Sequence, residues 1–152
     1  KPIMRSIGGS NAAAELAGIA KDLSEVRPIT NQERQQRRDK ASDLMQQQGI
    51  AALVLSASTS LYYFTGLSWY QSERLVGAVM TNSGKLIFVS PAFEDSKLRE
   101  TLGDQADIRL WEEDENPYTL VAQILKDENV QGKVALDEAA PFFIADGLRQ
   151  AL

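Results

Sequence analysis

Apolar positions change their spacing several times along this chain, and each change marks an element. Ile50-Ala-Ala-Leu-Val-Leu55 is a continuous apolar run bounded by Gly49 and Ser56, as in a strand covered on both faces. Residues 75–81 and 85–90 read as two more strands. Asn82-Ser-Gly84 between them tolerates positive φ, which predicts an antiparallel hairpin. Residues 106–111 alternate, with Ile108 and Leu110 on one face and Asp107, Arg109 and Trp111 on the other, as expected of a half-buried strand near a sheet edge. Residues 133–137, following Gln131-Gly132, read as a fifth strand.

Helix signals fall between these runs. Thr30-Asn-Gln-Glu33 is a capping box: the hydroxyl accepts from the Glu33 amide while the carboxylate reaches back. The helix it opens is expected to run to about Gln48 and stop at Gly49, with Ala41, Leu44, Met45 and Gln48 as its inward stripe. A short helix falls in the 59–66 stretch, another over 94–102 closed by Gly103, and one from Asn116-Pro117 to about Glu128, with asparagine as cap and proline in the first turn. The last starts near Pro141. This order predicts an α/β fold, a mixed five- or six-stranded sheet with helices on both faces. Residues 1–29, with the flexible Ile7-Gly-Gly-Ser10 and the Arg27-Pro28 break, read as an arm or short helix ahead of a domain at 30–152. The helical pattern is still running at Leu152, which reads as a cut at a domain boundary. Lys1 in place of an initiator Met reads as trimming.

Composition narrows the chemistry more than the fold. The chain has 152 residues, with no cysteine and no histidine. Disulfides, thiolate nucleophiles, Ser-His-Asp triads, Cys-His dyads and histidine-containing zinc sites are therefore excluded from it. A net charge of -5 lacks the positive field that binds phosphate backbones, which argues against nucleic acid. No apolar run approaches the roughly 18 residues of a membrane span. With no secretory signal visible after Lys1 and Arg5, the expected compartment is cytoplasmic.

Four constellations are candidates for chemistry. Arg34, Arg37, Arg38 and Lys40 could form an anion patch, but the interspersed Glu33, Asp39 and Asp43 favour a solvated helix face. The run Glu112-Glu-Asp-Glu115 could hold a divalent cation. It lacks a calcium-loop spacing, and negative charge ahead of the Asn116-Pro117 helix start is favoured by the helix dipole. Asp137, at the carboxyl end of a strand, could join Asp95 or Asp107 in a carboxylate metal site of a magnesium-using nuclease or phosphotransfer domain; a turn or cap role is the simpler reading. Trp69, Tyr70 and Arg74 have the composition of an interface hot spot or a carboxylate clamp. Alternatively the two aromatics seal the sheet edge and Arg74 pairs with Glu73.

Several motifs point the same way. Arg34 and Arg38 in the opening helix, Gly49-Ile-Ala-Ala-Leu-Val-Leu55, Ser60-Leu-Tyr-Tyr-Phe-Thr-Gly66, Glu73-Arg74 and the Asn82-Ser-Gly84 hairpin together resemble the N-terminal domain of the creatinase/prolidase/aminopeptidase P group. Ile7-Gly-Gly-Ser10 and Trp69-Tyr-Gln-Ser-Glu-Arg-Leu-Val-Gly77 are similar to a bacterial Xaa-Pro dipeptidase branch. The resemblance implies a creatinase N-terminal, ribonuclease H-like fold, followed in such proteins by a pita-bread catalytic domain. That domain binds two divalent metal ions, often manganese, through two Asp, one His and two Glu; none of those positions exists in this chain. The resemblance further implies a non-catalytic domain that helps form a homodimer and narrows the partner subunit's active site for proline-containing dipeptides. Trp69, Tyr70 and Arg74 would be the residues to meet substrate or the other subunit. A stand-alone α/β protein-interaction module without peptidase activity is the alternative.

Overall fold

The computed structural model describes residues 28–152; the arm or short helix expected before them lies outside the described residues. Helix α1 spans Asn31–Gln47 and starts immediately after Thr30, where the capping box places it. It is followed by β1 (Ile50–Leu55), α2 (Thr59–Thr65), β2 (Gly77–Thr81), β3 (Leu86–Pro91), a 3-10 turn (Ala92–Glu94) and α3 (Asp95–Leu102). Strand β4 (Ile108–Trp111), α4 (Pro117–Asp127), β5 (Lys133–Leu136) and α5 (Phe142–Ala151) complete the order. The Asn116 side chain accepts from the Tyr118 amide to cap α4, and Gly49 ends the α1 turn at φ +69.

The strands form one five-stranded mixed sheet in the order β4-β3-β2-β1-β5. The β2–β3 hairpin is antiparallel and β2 also runs antiparallel to β1. The outer pairs, β3 with β4 and β1 with β5, are parallel.

Strand residues alternate between two apolar layers, as a pleat requires. Ala52, Val54, Val79, Ile87, Val89 and Trp111 meet Val121, Ile124 and Leu125 of α4 and Ile144 and Leu148 of α5. On the other face Leu55, Ala78 and Phe88 meet Leu61 of α2, Leu67, Val76 and Leu98 of α3. Both faces are covered, so the central strands read as unbroken apolar runs.

Two expected faces are corrected. In α1, Leu44 is 49% exposed while Ser42 and Met45 are buried; the inward stripe is Arg34, Arg38, Ala41, Ser42 and Met45, and Gln48 is exposed. In β4, Leu110 is 40% exposed and Trp111 is buried. The indole of Trp111 turns in because its N–H finds an acceptor, the Leu75 carbonyl at 3.1 Å, which removes the cost of burying a polar edge.

Candidate functional site

Strand register puts the carboxyl ends of β1, β3, β4 and β5 and the start of β2 at one end of the sheet. Among the connections at this end are residues 67–76, 92–94, 112–116 and 137–141. Open α/β sheets bind their partners at this kind of end.

Trp69, Tyr70 and Arg74 lie together in the first of these connections. Trp69 is half-buried against the Leu61, Leu67, Phe88 and Leu98 layer, and the Lys97 ammonium sits 5.1 Å over its ring. Tyr70 stacks on its outer side, with centroids 6.0 Å apart and planes within 11°, and stays 63% exposed. A stacked pair with one ring anchored in the core presents the other at little entropic cost.

Arg74 pairs across the end of the sheet. Its Nε donates to Glu113 Oε1 at 2.7 Å and Nη2 to Oε2 at 3.3 Å, whereas the expected local partner Glu73 is at 3.9 Å. The Glu113 hydrogen bond, with the Glu113 and Glu73 charges and Tyr70, raises the Arg74 pKa above its ordinary value. The guanidinium also lies 5.7 Å from the ring of Phe93, which is 61% exposed in the turn after β3. Phe93 and Glu113 are the members that sequence reading missed. A bulky aromatic in Pro91-Ala-Phe-Glu94 straight after a strand was the available signal for the first; nothing local announces the second.

The other candidates fall elsewhere. Within the acidic run, Glu113 holds Arg74, while Glu115 Oε1 accepts from the Glu112 amide at 3.0 Å and closes the turn. Asp137 closes a turn only through its backbone, its carbonyl accepting from Ala140 N at 3.1 Å; its carboxylate accepts instead from Ser56 N and Ser56 Oγ, just past β1 and 81 residues away. Asp95 pairs with Arg99, and Asp107 with Arg109. Among the described residues no group of three or more His, Cys, Asp or Glu is placed to hold a metal ion. These side chains do not fit a dinuclear centre.

The arginines of α1 do more than face solvent. Arg37 Nη1 donates to the Tyr63 carbonyl at 2.9 Å, and Arg38 Nη1 to the Phe64 carbonyl at 2.6 Å. Arg37 also stacks 4.0 Å from the Tyr63 ring. Burial, assisted by Arg34 and opposed by Asp39, pulls the Arg38 pKa below its ordinary value.

The arrangement can hold and exclude. Away from it, the Asp107 pKa moves down, chiefly through its Arg109 hydrogen bond, and burial moves the Tyr118 phenol pKa up. Both shifts lead away from the near-neutral range of a general base.

The family described as the creatinase/prolidase N-terminal domain matches residues 37–152. The chain belongs to that family. It is 29% identical over 143 residues to an uncharacterized peptidase of Schizosaccharomyces pombe, covering 85% of this chain and 31% of that protein. This domain thus spans about a third of the curated relative it matches. Dipeptidase PepE from Mycobacterium ulcerans is 27% identical, with a TM-score of 0.71 over 82% of this chain and 34% of its own. The N-terminal domain of Xaa-Pro dipeptidase from Lactobacillus brevis shares the fold at 21% identity, with a TM-score of 0.68, covering 76% of this chain and 87% of that one. Among the described residues no helix is long and apolar enough to cross a membrane.

Proposed function

We propose that this creatinase/prolidase N-terminal domain is the non-catalytic, dimer-forming and substrate-gating part of an Xaa-Pro dipeptidase. The two divalent metal ions of such an enzyme, manganese in the first instance, would be held by a catalytic domain following this one. The observation that carries the reading is the exposed cluster at the carboxyl end of the sheet, where Tyr70 stacks on the half-buried Trp69 and Arg74 lies beside Phe93. Aromatic and arginine side chains on a fixed support are what an interface anchor requires. A cluster of this kind leaning over another subunit's active site would admit short substrates by size and hold their termini, positioning without proton transfer.

The test is Arg74→Ala in the full-length protein, assayed on Xaa-Pro dipeptides with manganese. The expected result is a fall in kcat/KM of about tenfold, roughly 1.4 kcal/mol of transition-state binding, with metal content unchanged. Unaltered kinetics would overturn the gating role. A full-length protein that turns over no such dipeptide, yet loses a protein partner when Arg74 is replaced, would favour the interaction module instead.

A further inference from the structure

Four successive carbonyls near the end of α2, from Leu61 to Phe64, have donors beyond the helix's own ladder or at its cap, and two of those donors come from a different helix. Helix ends leave carbonyl oxygens without intrahelical donors. Here Thr65 Oγ1 donates to the Leu61 carbonyl at 2.7 Å and the Gly66 amide to the Tyr62 carbonyl at 2.8 Å. Arg37 and Arg38 of α1 take the next two, at Tyr63 and Phe64. Gly66 itself sits at φ +78, and a Cβ there would lie 2.8 Å from Cζ of Arg34. Three arginines within about one helical turn of α1 therefore close around the point where α2 ends.

That point is where the connection carrying Trp69, Tyr70 and Arg74 begins. Leu67 follows at once, its amide bonded to Thr65 Oγ1 at 3.1 Å and its side chain buried. The far end of the same connection is held by the Trp111 bond to the Leu75 carbonyl. We infer that Arg34, Arg37 and Arg38 are positioning residues, a clamp that sets the direction in which the 67–76 connection leaves α2 and so places the Trp69–Tyr70 stack over Lys97. Cations at a helix C-terminus are favoured by its dipole. Arginine suits the task because one planar head bonds a carbonyl while lying against an aromatic ring. The importance of this clamp for activity rests on the gating role proposed above; the clamp itself does not.

The chain contains two tryptophans, which makes the clamp directly readable. With 5-fluorotryptophan incorporated, Trp69 and Trp111 give two 19F resonances, assigned by Trp69→Phe. In Arg38→Ala the Trp69 resonance is expected to shift and to gain solvent sensitivity between H2O and D2O, while the buried Trp111 resonance stays in place. An unmoved Trp69 resonance in the folded variant overturns the clamp. If Arg38→Ala loses signal dispersion, Arg37→Ala, whose guanidinium is exposed, decides in the same way. Kinetics of the full-length protein separate the two ideas. A moved resonance with unchanged kcat/KM on Xaa-Pro dipeptides overturns the gate and leaves the clamp standing, whereas an unmoved resonance overturns the clamp whatever the kinetics.

Discussion

Ser56 and Asp137, 81 residues apart, are joined at two points: the Ser56 amide donates to Asp137 Oδ1 at 2.7 Å and its hydroxyl to Oδ2 at 2.9 Å. Both residues are buried, so the pair latches the carboxyl ends of β1 and β5 together. Asp137→Ala leaves two buried donors without an acceptor and is expected to cost about 3 kcal/mol. Asp137→Asn costs less, because an amide oxygen still accepts one bond and the hydroxyl can turn to accept from the amide nitrogen. Urea denaturation midpoints measure both. An alanine variant as stable as the wild type would show that the latch contributes nothing.

Gly77 opens β2 against β1, and a Cβ there would stand 2.1 Å from the Leu55 carbonyl oxygen. The obstructing atom belongs to the backbone of the neighbouring strand, so no side-chain rotation relieves it. Gly77→Ala is expected to destabilise at the upper end of the roughly 1–3 kcal/mol of overpacking. A melting temperature unchanged by the substitution would mean that the two strands separate more easily than their register implies.

Acid should weaken the edge of the sheet. Asp107 bonds Arg109 at 2.8 and 3.3 Å, which lowers its folded pKa below the ordinary 3.8. A carboxyl with a depressed folded pKa adds stability above its unfolded pKa, and that stability is lost as pH falls through the lower folded value. The advantage of wild type over Asp107→Asn should thus be constant above about pH 5 and close on acidification below about pH 4. It should be modest, because both side chains are 35% exposed and water screens such a pair. An advantage that persisted unchanged to about pH 2 would assign it to something other than this charge.

Much of the scaffold was legible in local patterns. The strands announce themselves as apolar runs, and the β2–β3 register follows from the Asn82-Ser-Gly84 turn. The α1 start falls directly after Thr30, where the capping-box residues stand, and the α4 cap is written in Asn116, whose side chain accepts from the amide two residues on. The errors arose where a residue's partner is remote. Helix α1 is so polar that Leu44 looked like part of its inner face beside Ala41 and Met45, yet Ser42 is buried in its place and the stripe continues through Arg38 and Arg34. The aliphatic stems of Arg34 and Arg38 cover apolar surface while their heads reach the end of α2, and Arg38 meets a carbonyl 26 residues away. The alternation in β4 was right, but which of its last two residues is covered depends on whether an indole finds the Leu75 carbonyl.

For the candidate site the division is similar. Trp69, Tyr70 and Arg74 stand out in sequence because large aromatics and an arginine interrupt a connection between apolar segments. Their arrangement does not, since Arg74 pairs with Glu113 from another connection, 39 residues on, and borders Phe93 from a third. Short-range physics, namely hydrophobic period, capping and turn chemistry, is carried by neighbouring residues, so the chain alone determined its elements and its α/β class. The charge pairs, the buried Ser56–Asp137 latch and the arginine clamp on α2 join residues that only strand order and register bring within bonding distance. The tertiary structure alone decided those.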